Sequence, residues 1–326
     1  KTHSHNTNTP TMLVRTSFLL QRPSLGARAF SSCQAPSSIV SSPFTATVQH
    51  RHLATASQCS NTETEEPYEF GNILFSGPCN QRCYFCIGHR LAETENNLRL
   101  WPLHGLERFV ERLRATRTTK VIFTGTRTEP QLYRHEATLQ RHLREYLPGV
   151  HLSLHTNGLL ATRKLDTFNG YDSATVSLNS FDPAVYRRMH GVRDLPDLDT
   201  LLRLSRIPIK LSCVLTEHNH HLVESYLRRA LELGVRRVAL RYLFDVPASQ
   251  RPAIPALRDL TPQRLHQGNP VYLLDGGALE VTHWLFDSTT GRSLNLFSDG
   301  TLSDHYLLAK APDMLKEEPS DTVAFA

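Results

Sequence analysis

The 326-residue chain carries 36 basic and 31 acidic residues, 40% hydrophobic residues and six cysteines. That length suffices for one large or two ordinary domains with a buried core, and no run of about 18 apolar residues offers a membrane span. The formal charge of +5 is concentrated in the first 62 residues, where Lys1, Arg15, Arg22, Arg28 and Arg51 meet no acid. Beyond them 31 basic residues balance 31 acidic ones, which argues against a general nucleic-acid binder.

Residues 1–62 read as a disordered N-terminus. Residues 1–11 precede the first methionine and stand outside the fold reasoning. From Met12 the segment is rich in arginine and serine and free of acid, the composition of an organelle transit peptide. Arg28-Ala29-Phe30-Ser31 resembles a mitochondrial processing site, and Arg51-His52-Leu53-Ala54 offers a second. The mitochondrial matrix is therefore the expected location, with plastid or cytosol as alternatives. Cys33 and Cys59 fall in this segment and are not expected to be ligands.

From Glu66 strand and helix patterns alternate, as in βαβ units with a parallel sheet. Strands are predicted at 70–76, 120–124, 151–156, 173–179, 209–215 and 237–244. Between them, one helix from about Pro102 places Leu103, Leu106, Phe109, Val110 and Leu113 on one face. Others are expected over 131–146, from Pro183, and over Leu222 to Leu231, the last ending at Gly234. Residues 66–246 thus form an α/β core with six strand–helix units, too few for a closed eight-stranded barrel. After the proline-rich link Pro247 to Pro255, residues 247–326 read as a β-rich extension, with a meander over 271–274, 279–286 and 294–297. It is expected to cover or close the barrel mouth.

Directly after the first strand lie Cys79, Cys83 and Cys86, spaced Cys-x3-Cys-x2-Cys on a loop that opens with Gly77-Pro78. Thiolates are soft ligands and select zinc, Cu(I) or iron–sulfur clusters. A structural zinc site takes four ligands, usually as two pairs, and no second pair follows. Three thiolates suit three irons of a [4Fe–4S] cube and leave the fourth iron for a small molecule. The ligands need reduced thiols, and six irregularly spaced cysteines do not form a disulfide framework.

With Phe85 just before its last cysteine, this motif resembles the signature of the radical S-adenosylmethionine (SAM) superfamily. The resemblance covers about Phe70 to Asp245. It implies a partial (β/α)6 barrel, a [4Fe–4S] cluster on Cys79, Cys83 and Cys86, and SAM on the open iron. It also implies a ferredoxin- or flavodoxin-like electron donor and a 5′-deoxyadenosyl radical that takes a hydrogen atom from substrate. Thr124 to Pro130, TGTRTEP, resembles the Gly-Gly-Glu-Pro motif that binds the SAM amino group. Glu129-Pro130 match, while Arg127 and Thr128 replace the glycines. Thr156-Asn157-Gly158 and Val176 to Ser180, followed by Asp182, Tyr186 and Gly191, look like segments of the GTP-cyclising enzymes of molybdenum-cofactor synthesis. That family carries a second cysteine triplet; here only Cys213 follows Cys86.

Residue parity selects inward-facing side chains, and in parallel barrels chemistry collects at the C-terminal strand ends. His155 and Asn157, Ser177 and Asn179, Lys210 and Ser212, and Arg241 fall on the inner faces. By analogy with the family, Ser177 and Asn179 approach the ribose or carboxylate of SAM, Phe85 the adenine, and Glu129 and Asn157 the cofactor. Arg241 meets the carboxylate or an acidic substrate group. Cys213 falls on the outward face as a small buried residue, and Glu217 to His221 reads as a polar loop with a helix cap. The sequence thus points to a radical SAM enzyme acting on a small-molecule or nucleotide substrate. Two alternatives remain: an iron–sulfur protein without SAM turnover, and modification of RNA or peptide.

Overall fold

The computed structural model describes residues 66–89, 94–244 and 246–304. The expected transit segment and residues 305–326 of the extension lie outside these. Six parallel strands follow in chain order: β1 (Phe70–Phe75), β2 (Lys120–Gly125), β3 (His151–Thr156), β4 (Ser173–Ser177), β5 (Ile209–Leu215) and β6 (Arg237–Tyr242). Helices α1 (Leu106–Ala115), α2 (Glu136–Tyr146), α3 (Leu165–Phe168), α4 (Pro183–His190), α5 (Leu198–Leu204) and α6 (Val223–Glu232) lie between them. The protein is an α/β fold with a parallel-rich open sheet, a partial barrel of six successive parallel strands with helices in the five connections and a C-terminal β extension.

Alternation decides which face each strand buries. Ile73, Phe75, Val121, Phe123, Leu152, Leu154, Val176, Leu211, Cys213, Val238 and Leu240 all enter one hydrophobic core with the helices. Removing that apolar area from water is the main stabilising contribution, about 25 cal/mol per Å². Their neighbours Asn72, Ser153, His155, Ser177, Lys210, Ser212 and Arg241 therefore point to the inner face. Local signals fix the helices. Asp182 accepts from the amides of Ala184 and Val185 at 2.7 and 3.0 Å and starts α4 at Pro183. In α6, Val223, Tyr226, Leu227 and Ala230 form the buried stripe. The first helix starts later than the periodicity predicts, because Gly105 ahead of Leu106 is left-handed (φ 70°). Leu103 is buried nevertheless.

The extension differs from the predicted meander. Strands β7 (Arg264–His266), β8 (Asn269–Leu274) and β9 (Leu279–Trp284) add to β6, with β9 parallel to it. The chain then crosses to the other edge, where β10 (Ser293–Leu296) runs parallel to β1 and β11 (Leu302–Ser303) caps it. In a flat sheet the seven strand-to-strand steps from β9 to β10 would span ~34 Å. The link of residues 285–292 reaches ~30 Å at full extension, and a 3₁₀ turn at Phe286–Ser288 shortens it. The sheet must curl.

Side chains join the facing edges. Glu69, just before β1, is hydrogen-bonded to Gln267 in the β7–β8 turn. Thr290 N donates to Gln267 O at 3.2 Å, and Glu69 N donates to Arg292 O at 3.0 Å. The extension thus bridges the seam of the barrel. Its turn has positive φ at both Gln267 (51°) and Gly268 (79°), the primed geometry of two-residue hairpins. A Cβ at Gly268 would sit 2.0 Å from Ser288 O. Gly268→Ala is therefore expected to lower stability by about 1–3 kcal/mol or more. An unchanged urea midpoint would show that this seam contributes nothing.

Candidate active site

The loop from Ser76 to His89 leaves β1 and reaches across the C-terminal ends of its neighbours. Five contacts hold it there. Thr128 Oγ1, after β2, donates to Pro78 O at 2.5 Å. Asn157 Nδ2, after β3, donates to Asn80 Oδ1 at 2.7 Å. On α4, His190 O accepts from Arg82 N at 2.9 Å and Tyr186 OH accepts from Gln81 Nε2 at 2.6 Å. Beyond β5, Glu217 accepts from Tyr84 OH at 2.9 Å. The cysteine loop thus spans the barrel mouth, where parallel barrels place their chemistry.

Cys83 Sγ lies 3.4 Å from Gln81 Oε1 and 3.3 Å from His190 Nδ1. His190 is stacked on Tyr186 at 4.1 Å, and burial lowers its pKa to about 4. The Phe85 ring meets Tyr84 and His190 edge-on, at 5.4 and 5.6 Å. Burial, with Cys86 and Cys79 acting in the same direction, pushes Cys83 up to about 12. Burial also raises Cys79 and Cys86. The three sulfurs therefore share one electrostatic environment that disfavours thiolates until a metal centre compensates.

Glu129 is 2% exposed, and burial raises its pKa to about 7 against the pull of its donors. Oε1 accepts from Thr156 Oγ1 at 2.6 Å and Gln131 N at 3.2 Å, and Oε2 accepts from Asn157 N at 2.7 Å. Both oxygens thus bind protein donors and tie the β2 loop to the β3 loop. Gly125 makes this turn feasible, since a Cβ there would lie 1.7 Å from Thr128 O. Asn157 presents its amide to the cysteine loop. Asn179 is buried as a clamp: its Oδ1 accepts from Val214 N at 2.9 Å and its backbone O from Asn219 Nδ2 at 2.8 Å. Ser177 and Arg241 line the inner face as half-buried residues, with the Arg241 guanidinium 5.4 Å from the Trp284 ring.

The structure thus brings the three cysteines, Phe85 and Asn157 together at the mouth. Ser177 and Arg241 sit inside the barrel, and Glu129 and Asn179 are enclosed in the loops that shape it. Cys213 packs on the helix side, and Asn219 in the Glu217–His221 loop caps its own turn by accepting from Thr216 N at 2.7 Å. Sequence reasoning missed the support from Gln81 and His190. A signal existed in the four-residue spacing of Tyr186 and His190, which puts both on one face of α4.

The donor set fits an iron–sulfur cluster. Its three candidate ligands are all sulfur, the donor such clusters take. Cys79, Cys83 and Cys86, on one loop over the mouth, would hold such a cluster. Asn157→Ala would remove the tie to Asn80 and the acceptor for Leu159 N. It is expected to cost about 1–2 kcal/mol and to speed amide hydrogen exchange across residues 79–86. Unchanged exchange there would show that Asn157 does not hold the loop.

Comparison with known proteins bears on this geometry. The Radical SAM superfamily model matches residues 73–210, from β1 into β5. No curated protein matches the chain. Among solved structures, Streptococcus suis SuiB bound to precursor peptide SuiA is 18% identical with a TM-score of 0.45, covering 58% of this chain and 42% of that one. Native anSMEcpe with bound AdoMet is 18% identical with a TM-score of 0.38, covering 53% and 51%. Coproporphyrinogen III oxidase (HemN) from Escherichia coli is 14% identical with a TM-score of 0.39, covering 59% and 50%. The chain thus spans about half the length of these proteins or less. Over residues 73–210, the stretch that carries the cysteine spacing, the chain is similar to the Radical SAM superfamily.

Proposed function

We propose that this protein is a radical SAM enzyme that abstracts a hydrogen atom from a small-molecule substrate held inside its barrel. The observation that carries the reading is the cysteine loop, pinned over the strand ends by Thr128, Asn157, Tyr186 and His190. With a [4Fe–4S] cluster and SAM bound, the cofactor supplies the electron and the carbon–sulfur cleavage that yield methionine and a 5′-deoxyadenosyl radical. Cys79, Cys83 and Cys86 would hold that cluster. Phe85, edge-on to His190, offers an aromatic wall beside it, and the Asn157 and Thr128 contacts fix the loop above the lumen. Ser177 and Arg241 point into the space below and would orient the ligand. Matrix import through residues 12–62 and a ferredoxin- or flavodoxin-like donor belong to the same proposal.

A second reading, a cluster-binding protein without SAM turnover, is favoured by one observation. Both Glu129 oxygens are engaged by Thr156, Gln131 and Asn157 in the loop where the superfamily binds the SAM amino group. Anaerobic reconstitution separates the two. The enzyme is expected to hold about four irons per chain, the stoichiometry of one cube, and to release 5′-deoxyadenosine with SAM and reductant. Cys83→Ala is expected to lose both iron and product, whereas Cys213→Ala keeps both. Iron without 5′-deoxyadenosine favours the second reading, and product from Cys83→Ala overturns the ligand set.

A further inference from the structure

The inner face of the barrel carries a charge imbalance that packing does not explain. Lys120, His155, Lys210 and Arg241 come from β2, β3, β5 and β6. Each alternates with residues such as Val121, Leu154, Leu211 and Leu240, which enter the helix-packed core. Strand register aligns His155 with Thr175, Lys210 and Arg237 in one row across β3 to β6. The four side chains act on one another through the lumen: Arg241, Lys210 and Lys120 all disfavour a charged His155. Facing them, Glu280 on β9 pairs with Arg264 at 2.8 Å, and Glu69 is hydrogen-bonded to Gln267 at the seam. Cations therefore dominate the interior.

Keeping them there is costly. Burial and repulsion from Arg241, Arg237 and Lys120 lower Lys210 to about 7, with only Glu280 opposing. A lysine held against such repulsion destabilises the fold unless an anion compensates. Solvent reaches these side chains. The outward residues of these strands are fully buried, while Lys120, His155, Lys210 and Arg241 keep accessible surface. Small side chains, Ser153, Thr175, Ser177, Ser212 and Ala239, separate them.

We propose that Lys120, Lys210 and Arg241, with His155, bind the phosphate end of a phosphorylated small molecule inside the barrel. The inference rests on the catalytic reading only in taking that molecule as substrate. Charge selects the class: one carboxylate would neutralise one of three cations, whereas a diphosphate matches the set. Arg241, placed against Trp284, offers the planar fork that phosphate oxygens accept. The position selects the end of the ligand. Lys210 precedes the end of β5 by five residues, ~16 Å of strand, so the rest of the molecule extends toward the cysteine loop.

Titration calorimetry on the full chain with inorganic pyrophosphate, at fixed salt and pH 6.5, tests the site. Saturable binding is expected, weakened about ten- to a hundredfold by Lys210→Met and by Arg241→Met. Exposed Arg228 on α6, paired with Glu224, serves as control, and Arg228→Met should bind as the native chain does. Affinity should fall as pH rises through about 7, because Lys210 then loses its proton. The charged groups that act on Lys210 are Arg241, Arg237, Lys120 and Glu280. Lys210→Met should melt no lower than the native chain; should it fail to fold, Lys210→Gln takes its place. A nucleoside triphosphate and a hexose phosphate form the two source arms, and tighter binding of either supports the site and identifies its ligand. No saturable binding, binding unchanged in both lumen variants, or malonate bound as tightly as pyrophosphate overturns the proposal. Pyrophosphate binding without 5′-deoxyadenosine formation would retain this site and reject the catalytic reading instead.

Discussion

The geometry of the mouth depends on one buried carboxylate. Glu129 gathers a hydroxyl and two backbone amides from Thr156, Gln131 and Asn157. Burial disfavours its charge and these donors restore part of it, leaving its pKa at about 7. Charge-assisted hydrogen bonds in a dry setting are short and strong. They fix Asn157, whose side chain then holds Asn80 at 2.7 Å beside the first cysteine. Loss of the carboxylate would therefore be felt two residues further along a chain of contacts, at a loop that Glu129 does not itself touch.

Strand identity and facing were legible because period-two alternation has a direct physical cause. One face must bury apolar area against helices, and a slip by one residue would expose all of it. This is why His155, Ser177, Lys210 and Arg241 could be placed inward from the sequence, and why Cys213 could be set apart as a packing residue. The cysteine motif was legible for a different reason: it is local, so its spacing alone shows that three thiols share a loop.

What stayed hidden depends on contacts between distant residues. Nothing near Glu129 shows that its oxygens are engaged by the loop after β3. Asn179 lies on the inner parity, yet it sits past the end of β4, where alternation no longer sets direction, and it turns to Val214. The extension was misread as one meander because pairing partners are not encoded in strand spacing. Its link is too short for a flat sheet, and that constraint appears only once β9 and β10 are known to lie on opposite edges.

The two ends of the barrel interior are electrostatically unlike. At the mouth, burial keeps Cys79, Cys83 and Cys86 as neutral thiols, which become a dense anionic set when they ligate metal. Deeper in, Lys120 and Lys210 open β2 and β5 and supply positive charge, to which Arg241 adds near the end of β6, while the seam acids Glu69 and Glu280 are hydrogen-bonded to Gln267 and Arg264. A ligand with an anionic end and a neutral end would enter such a gradient in one orientation only, because reversing it would place its charge against the thiolates. Orientation of this kind needs no specific contact to the reacting atom. It follows from putting the cysteines on the loop beyond β1 and the lysines early in β2 and β5, a separation that the seam-bridging extension preserves by holding the sheet curled.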